Sequence, residues 1–187
     1  MLGTRPFPNV IGSRRRGGST ALPTLYFHQT EDTDWDNGAN WYQEITGTIQ
    51  WNSAPTAAQH AIIQSGTCDA DGTCASLVVA SGGTVATNNG TVNTNNGTVS
   101  TNNGTVNTNN GTVSTNNGTV NTNASGATVT TNAFGATVNT NYGTVINNYG
   151  TVTNNNSGAT VGANYGTITN ANSGGTVTAN FGTITNA

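Results

Sequence analysis

From Gly83 to the end of the chain the unit Gly-Thr-Val-Xaa-Thr-Asn-Asn returns with few changes, and so short a period leaves few folds open. Its apolar anchor recurs at Val85, Val92, Val99, Val106, Val113, Val120, Val129, Val138, Val145, Val152, Val161, Ile168, Val177 and Ile184, always seven or nine residues apart. Helix is excluded, because glycine recurs in every unit and Thr, Val and Asn are poor helix formers. The Thr-Val-Xaa-Thr piece is β-branched and alternating, which makes a short strand with Val on one side and its neighbours on the other. Asn-Asn-Gly then turns the corner, since Asn and Gly tolerate the left-handed conformations that a tight bend demands.

Two-residue insertions decide how these strands stack. They fall in the corners, where TNNGTV becomes TNASGATV, and leave the strand intact. Late in the chain long and short corners alternate, so Val145, Val161 and Val177 lie 16 residues apart, as do Val152, Ile168 and Ile184. One coil is therefore two strands. In the same phase Tyr149, Tyr165 and Phe181 stand 16 apart, each before a glycine, as a file of rings along one edge. The expectation is an all-β chain: a two-sided β-solenoid, or parallel β-helix, with 14-residue coils early and 16-residue coils late. Each strand would be bonded to its equivalents roughly 4.8 Å above and below.

The core of such a solenoid is thin. Each coil buries two anchors drawn from Val92, Val99, Val106, Val113, Val120, Val145, Val152, Val161, Ile168, Val177 and Ile184 and their equivalents, with Thr methyls or Asn amides at the other inward position. Inward amides must form ladders, each donating to the next coil, or their burial would cost more than it returns. A neutral Asn/Thr tract also suits disorder, but the 16-residue aromatic phase argues for the ordered reading.

Composition divides the chain in three. Residues 1–23 hold three of the four prolines and all four basic residues, Arg5, Arg14, Arg15 and Arg16, which reads as an anchoring arm. Residues 24–80 hold all three tryptophans, both histidines and both cysteines and form a small β-rich head. Residues 81–187 are the repeat shaft. Residues 72–187 contain no Lys, Arg, Asp or Glu, so the attraction that drives nucleic-acid binding is missing there and nucleic acid is excluded as a partner. No run approaches a membrane span. The N-terminal stretch lacks the apolar core of a secretory signal, and Arg14-Arg15-Arg16 lacks the apolar segment that a twin-arginine signal needs.

The stretches TDWDNGANWYQ, APTAAQHAIIQSGTC and ASLVVASGGTVAT resemble a module of bacterial surface adhesins and virion-associated proteins, in which a D-W-x-N-x-x-N-W start leads into parallel β-helix. The tail NYGTVTNNNSGATVGANYGTITNANSGGTVTANFGTIT is similar to the N-x-G-T-I/V arrays of those adhesive solenoids. The resemblance spans residues 24–187 and implies a right-handed solenoid on a surface fibre or spike, with Trp35 and Trp41 packing its cap. It names no ligand.

Candidate sites are few. Asp32, Asp34 and Asp36 have the alternate spacing of a calcium loop, but Gly38 comes one position late and Gln43 stands where a bidentate Glu belongs; the competing reading is a solvated turn around Trp35. Cys68 and Cys74 flank the turn DADG, open either to a hairpin disulfide or to a reduced pair. His60 and Ser65 lack a matched acid and elbow motif, and the solenoid lacks the paired carboxylates of a glycosidase, so no enzyme is expected. No cofactor is expected unless calcium binds. The function read here is a structural fibre or spike subunit, of a phage head or tail fibre before a secreted bacterial adhesin or a self-assembling extracellular filament. It would sit on a virion or extracellular surface, bundled with copies of itself, plausibly as a trimer with Tyr149, Tyr165 and Phe181 at the contact. The arm would engage other particle proteins, and the shaft surface glycan. A different class is ice binding through the outward Thr84, Thr91, Thr98, Thr105, Thr112 and Thr119, against which the second outward position varies.

Overall fold

The computed structural model describes residues 24–29, 32–47, 50–51, 53–69, 74 and 76–186. Strand β1 (Leu25–His28) pairs in parallel with β3 (His60–Cys68), and β3 with β4 (Ser76–Asn88), setting Phe27, Ile63 and Val79 one above another. The short β2 (Trp41–Tyr42) joins β1 antiparallel. Strand β4 is long because it serves two sides of the coil. Its first half pairs with β5 (Thr91–Asn95) and its second with β6 (Thr98–Asn102). From there to Thr183–Ile184 every strand pairs in parallel with the strand two further on, Thr to Thr and Val to Val or Ile. The result is the all-β parallel solenoid expected, two strands per coil, with a small β-rich N-terminal part.

Coil length varies more than the early/late division predicts. Thr98 pairs with Thr112, 14 residues on, but Thr112 pairs with Thr128, Thr119 with Thr137 and Thr137 with Thr151, spacings of 16, 18 and 14. The 18-residue coil arises where two successive corners both carry an insertion, at Ser125-Gly126 and Phe134-Gly135. The strands keep register because each insertion bulges outward from its corner.

Within each strand the inward residues are the second and the fifth, Val and the first Asn, and the anchors Val92 through Ile168 are sealed from solvent along with Asn88 to Asn164. Simple alternation would put the fourth residue inward. Instead the third and fourth are both partly exposed and the third drops out of the pairing register, so the strand bends between them. The first Asn thereby lies inside the corner, where backbone groups need partners. Asn109 is representative: its Oδ1 accepts from Asn95 Nδ2 at 2.7 Å, and its Nδ2 donates to Asn123 Oδ1 at 2.8 Å and to the carbonyl of Thr128 at 3.2 Å. Two such ladders run up the interior, one from Asn88 and one from Asn95. Outside them, exposed Asn89, Asn103 and Asn117 are linked in the same way, as are Asn96 and Asn110 at the other edge.

The corner glycines act otherwise than expected. Positive φ occurs at Gly126, Gly135, Gly158 and Gly174 of the long corners, whereas Gly104, Gly111 and Gly118 of the short corners are not among the left-handed glycines. A Cβ on Gly104 would overlap the carbonyl oxygen of Gly90 one coil below. The short corners need glycine for close approach of backbone to backbone, not for a left-handed turn.

One ladder has a fault. Asn155 accepts from Asn141 at 2.8 Å, but its own Nδ2 is buried without a partner, and the residue in register one coil on is Ala171. An unmet buried donor costs about 1–3 kcal/mol. The substitution Ala171→Asn is expected to extend the ladder and stabilise by about 1 kcal/mol, read as a rise of a few degrees in the melting midpoint. An unchanged or lower midpoint would contradict the ladder account at this coil. Beyond it burial declines: Val177 is half-buried and Ile184 is 37% exposed, since no further coil covers the last described one.

Candidate interaction surfaces

At the N-terminal end, DWDNGANW folds over the first strands. Trp35 and Trp41 are buried, meet edge to face at 4.8 Å, and Trp41 packs the same way on Phe27 at 5.3 Å. Both are pinned by hydrogen bonds: Trp41 Nε1 donates to the Trp35 carbonyl at 2.7 Å, and the Trp35 backbone N–H to Asp69 at 3.1 Å. The resemblance implies a cap containing Trp35 and Trp41; the structure packs the two rings on each other and on Phe27 of the first strand.

The acidic triplet is engaged in the turns that hold this cap. Asp32 accepts from the Asp34 backbone at 3.1 Å, from Asn40 at 3.0 Å and from Asn37 at 3.1 Å; Asp34 accepts from the Asp36 backbone at 2.8 Å. The amides of Asn37 and Asn40 hold the Asp32 carboxyl below its ordinary range. Among the described residues no three His, Cys, Asp or Glu side chains gather where they could hold a metal ion. Cys68 lies in the core beneath Val85, and Cys74 packs half-buried against the core; no disulfide joins them, and burial pushes the Cys74 thiol up, away from the reactive thiolate. Ser65 lies at 3.1 Å from His28 rather than beside His60, which instead meets Ser76 at 2.6 Å. The far nitrogen of His28, where a triad acid would stand, is buried without a partner. Arg5, Arg14, Arg15 and Arg16 lie outside the described residues.

The shaft presents two faces, and pairing sorts their residues. One carries Thr84, Thr98, Thr112, Thr128, Thr144, Thr160 and Thr176; the other carries Thr91, Thr105, Thr119, Thr137, Thr151, Thr167 and Thr183. The third position, irregular along the sequence, becomes regular on the Thr91 face and stays varied on the other. Beside Thr84 it runs Ala86, Ser100, Ser114, Thr130, Ile146, Gly162, Thr178, and beside Thr91 it runs Asn93, Asn107, Asn121, Asn139, Thr153, Thr169, Thr185. The alternation of Asn and Ser along the chain was itself the signal of two faces.

The edges differ likewise. Following the Thr84 face, the corner residues are Asn89, Asn103 and Asn117, then Phe134, Tyr149, Tyr165 and Phe181. Tyr149, Tyr165 and Phe181 stack face to face, with centroids 5.0 Å apart and planes within 7° and 12°, and all are exposed. Phe134 stands at the tip of its corner, 93% exposed. All exposed large apolar side chains of the shaft fall between Phe134 and Ile184. The half nearer the head is polar outside; the far half sets exposed rings among its polar side chains.

Fold and surfaces together define a β-solenoid repeat protein. Comparison with protein-family models, with curated proteins and with solved structures finds no match to this chain. Among the described residues no helix is long and apolar enough to cross a membrane.

Proposed function

We propose that this chain is the shaft subunit of a surface fibre or spike, with the Trp-rich end at the base and the solenoid projecting. The observation that carries this reading is the single-file stack itself: coils add on one axis, one end is closed by Trp35 and Trp41, and the rod carries no ionisable Asp, Glu, Lys or Arg beyond Asp71. Each coil adds roughly 4.8 Å of length for 14–18 residues, an economical way to hold a surface at a distance. A virion fibre is the preferred setting, with a bacterial adhesin or an extracellular filament as the others. The role is structural and not catalytic. Partners are copies of the chain through its aromatic edge, other particle proteins through the arginine arm, and surface glycan.

An antibody raised against the head and applied to intact particles or filaments from the source, viewed by electron microscopy, is expected to mark the base of a projection. Label confined to unassembled protein would contradict the reading. A second reading, ice binding, is favoured by the sorted faces, where Thr151/Thr153, Thr167/Thr169 and Thr183/Thr185 make two hydroxyl files. Thermal hysteresis of the full chain would move the assignment there.

A further inference from the structure

The aromatic edge has a flank. On the Thr84 face, next to the rings, the third and fourth strand positions are Ile146-Asn147, Gly162-Ala163 and Thr178-Ala179, less polar than the Ser100-Thr101 and Ser114-Thr115 of the coils nearer the head. Ile146 is 43% exposed. On the other side of the same edge the flank stays hydroxylic, with Thr151, Thr167 and Thr183. The far half of the shaft therefore gathers most of its exposed apolar side chains along this edge and one flank, with Tyr142 exposed at the opposite edge.

Three features say what covers it. First, residues 72–187 hold no charged side chain, so a charged partner finds no counter-charge, while an equally uncharged surface brings no charge that must be desolvated. Second, the rings of Tyr149, Tyr165 and Phe181 turn their faces on one another, so the file offers ring edges outward and little open face for a sugar ring. Third, a cyclic trimer joins two different patches of each chain, whereas a two-fold pair joins one patch to itself. One strip on one flank suits the pair.

The order of the rings sets the direction. At one coil per step the corners of this edge carry Phe134, Tyr149, Tyr165 and Phe181, with Phe134 one residue past Ala133, the position in register with Tyr149, so the order of ring types is the same from either end. Resting on the self-association reading above, we propose that two copies of this chain pair antiparallel through this strip, Phe134 against the partner's Phe181 and Tyr149 against the partner's Tyr165. Two shafts so joined point their capped heads in opposite directions and link two anchoring sites. The strip is only four coils long, so the pair belongs with the small, weak and reversible interfaces rather than with the stable ones of roughly 1,200 Å² and more.

Directional cross-linking of the full chain tests this, in a Cys68→Ala, Cys74→Ser background. Mixing Phe134→Cys chains with Phe181→Cys chains under oxidation is expected to give a disulfide-linked pair, while neither variant links to itself. Self-linking of Phe134→Cys, or a trimer, would overturn the antiparallel pair. Sedimentation of the chain with its own cysteines, against Tyr149→Ser/Tyr165→Ser, needs no engineered thiol: the variant should dissociate at least roughly tenfold more readily, and equal masses would overturn the strip. A monomer whose head is still found at the base of projections removes the pair and leaves the shaft; a cross-linked pair absent from any projection does the reverse.

Discussion

Replacing Val106 by Asp is expected to unfold the shaft on both sides of its coil, whereas Asn107→Asp, one residue away, is expected to leave the melting midpoint nearly unchanged. Val106 is sealed from solvent between Val92 and Val120, in an interior only two apolar side chains wide per coil. A carboxylate there finds no cation in the whole shaft and cannot reach water without opening the coil. Its burial costs several kcal/mol, comparable with the entire stability of a domain. Asn107 is partly exposed on the Thr91 face, and its Oδ1 accepts from Asn121 at 2.8 Å. Aspartate keeps that oxygen, so the change should stay within about 0.5 kcal/mol. Thermal denaturation followed by far-ultraviolet circular dichroism reads both. Equal tolerance at the two positions would mean that the inward and outward sides are assigned wrongly.

The sequence makes the stack legible because its strongest signal, the spacing of Val and Ile, is also what the core selects. A one-residue slip would turn Val106 to solvent, so every insertion had to fall in a corner, and the register of Val113 with Val129 and of Val120 with Val138 follows. The need for an amide ladder was legible too, as a matter of chemistry. Its position was not. Alternation brings the fourth residue inward, and only the bend after the third turns Asn109 in and Thr108 out. The reason for glycine in the short corners was hidden in the same way, since the carbonyl that excludes a side chain at Gly104 belongs to Gly90, in another coil. The cap was read from Trp35 and Trp41, but its pinning by Asp69 joins residues 34 apart that no spacing rule connects. The apolar flank at Ile146, Ala163 and Ala179 is invisible until faces are separated, because along the chain these residues interleave with the polar file of the other face.

The two interior ladders are what let a chain with so little apolar core close into a rod, and they make a sharp distinction between two chemically identical neighbours. Asn109 lies inside and Asn110 outside. Asn109→Ala removes one acceptor of Asn95 Nδ2, which keeps its bond to the Thr112 carbonyl, and the donor to Asn123 Oδ1 and the Thr128 carbonyl, so the ladder is cut above and below. At about 1–3 kcal/mol for each of these three groups, the loss is about 3–9 kcal/mol, enough to abolish the folded shaft or lower its midpoint by more than roughly 10 °C. Asn110→Ala breaks one exposed bond, to Asn96 at 2.9 Å, and should cost less than about 1 kcal/mol. The melting midpoints of Asn109→Ala and Asn110→Ala, measured side by side on the full chain, are therefore the most direct test of the fold on which the shaft rests. The account predicts collapse or a large drop for the first and little change for the second; similar midpoints, or the greater loss at Asn110, would contradict it.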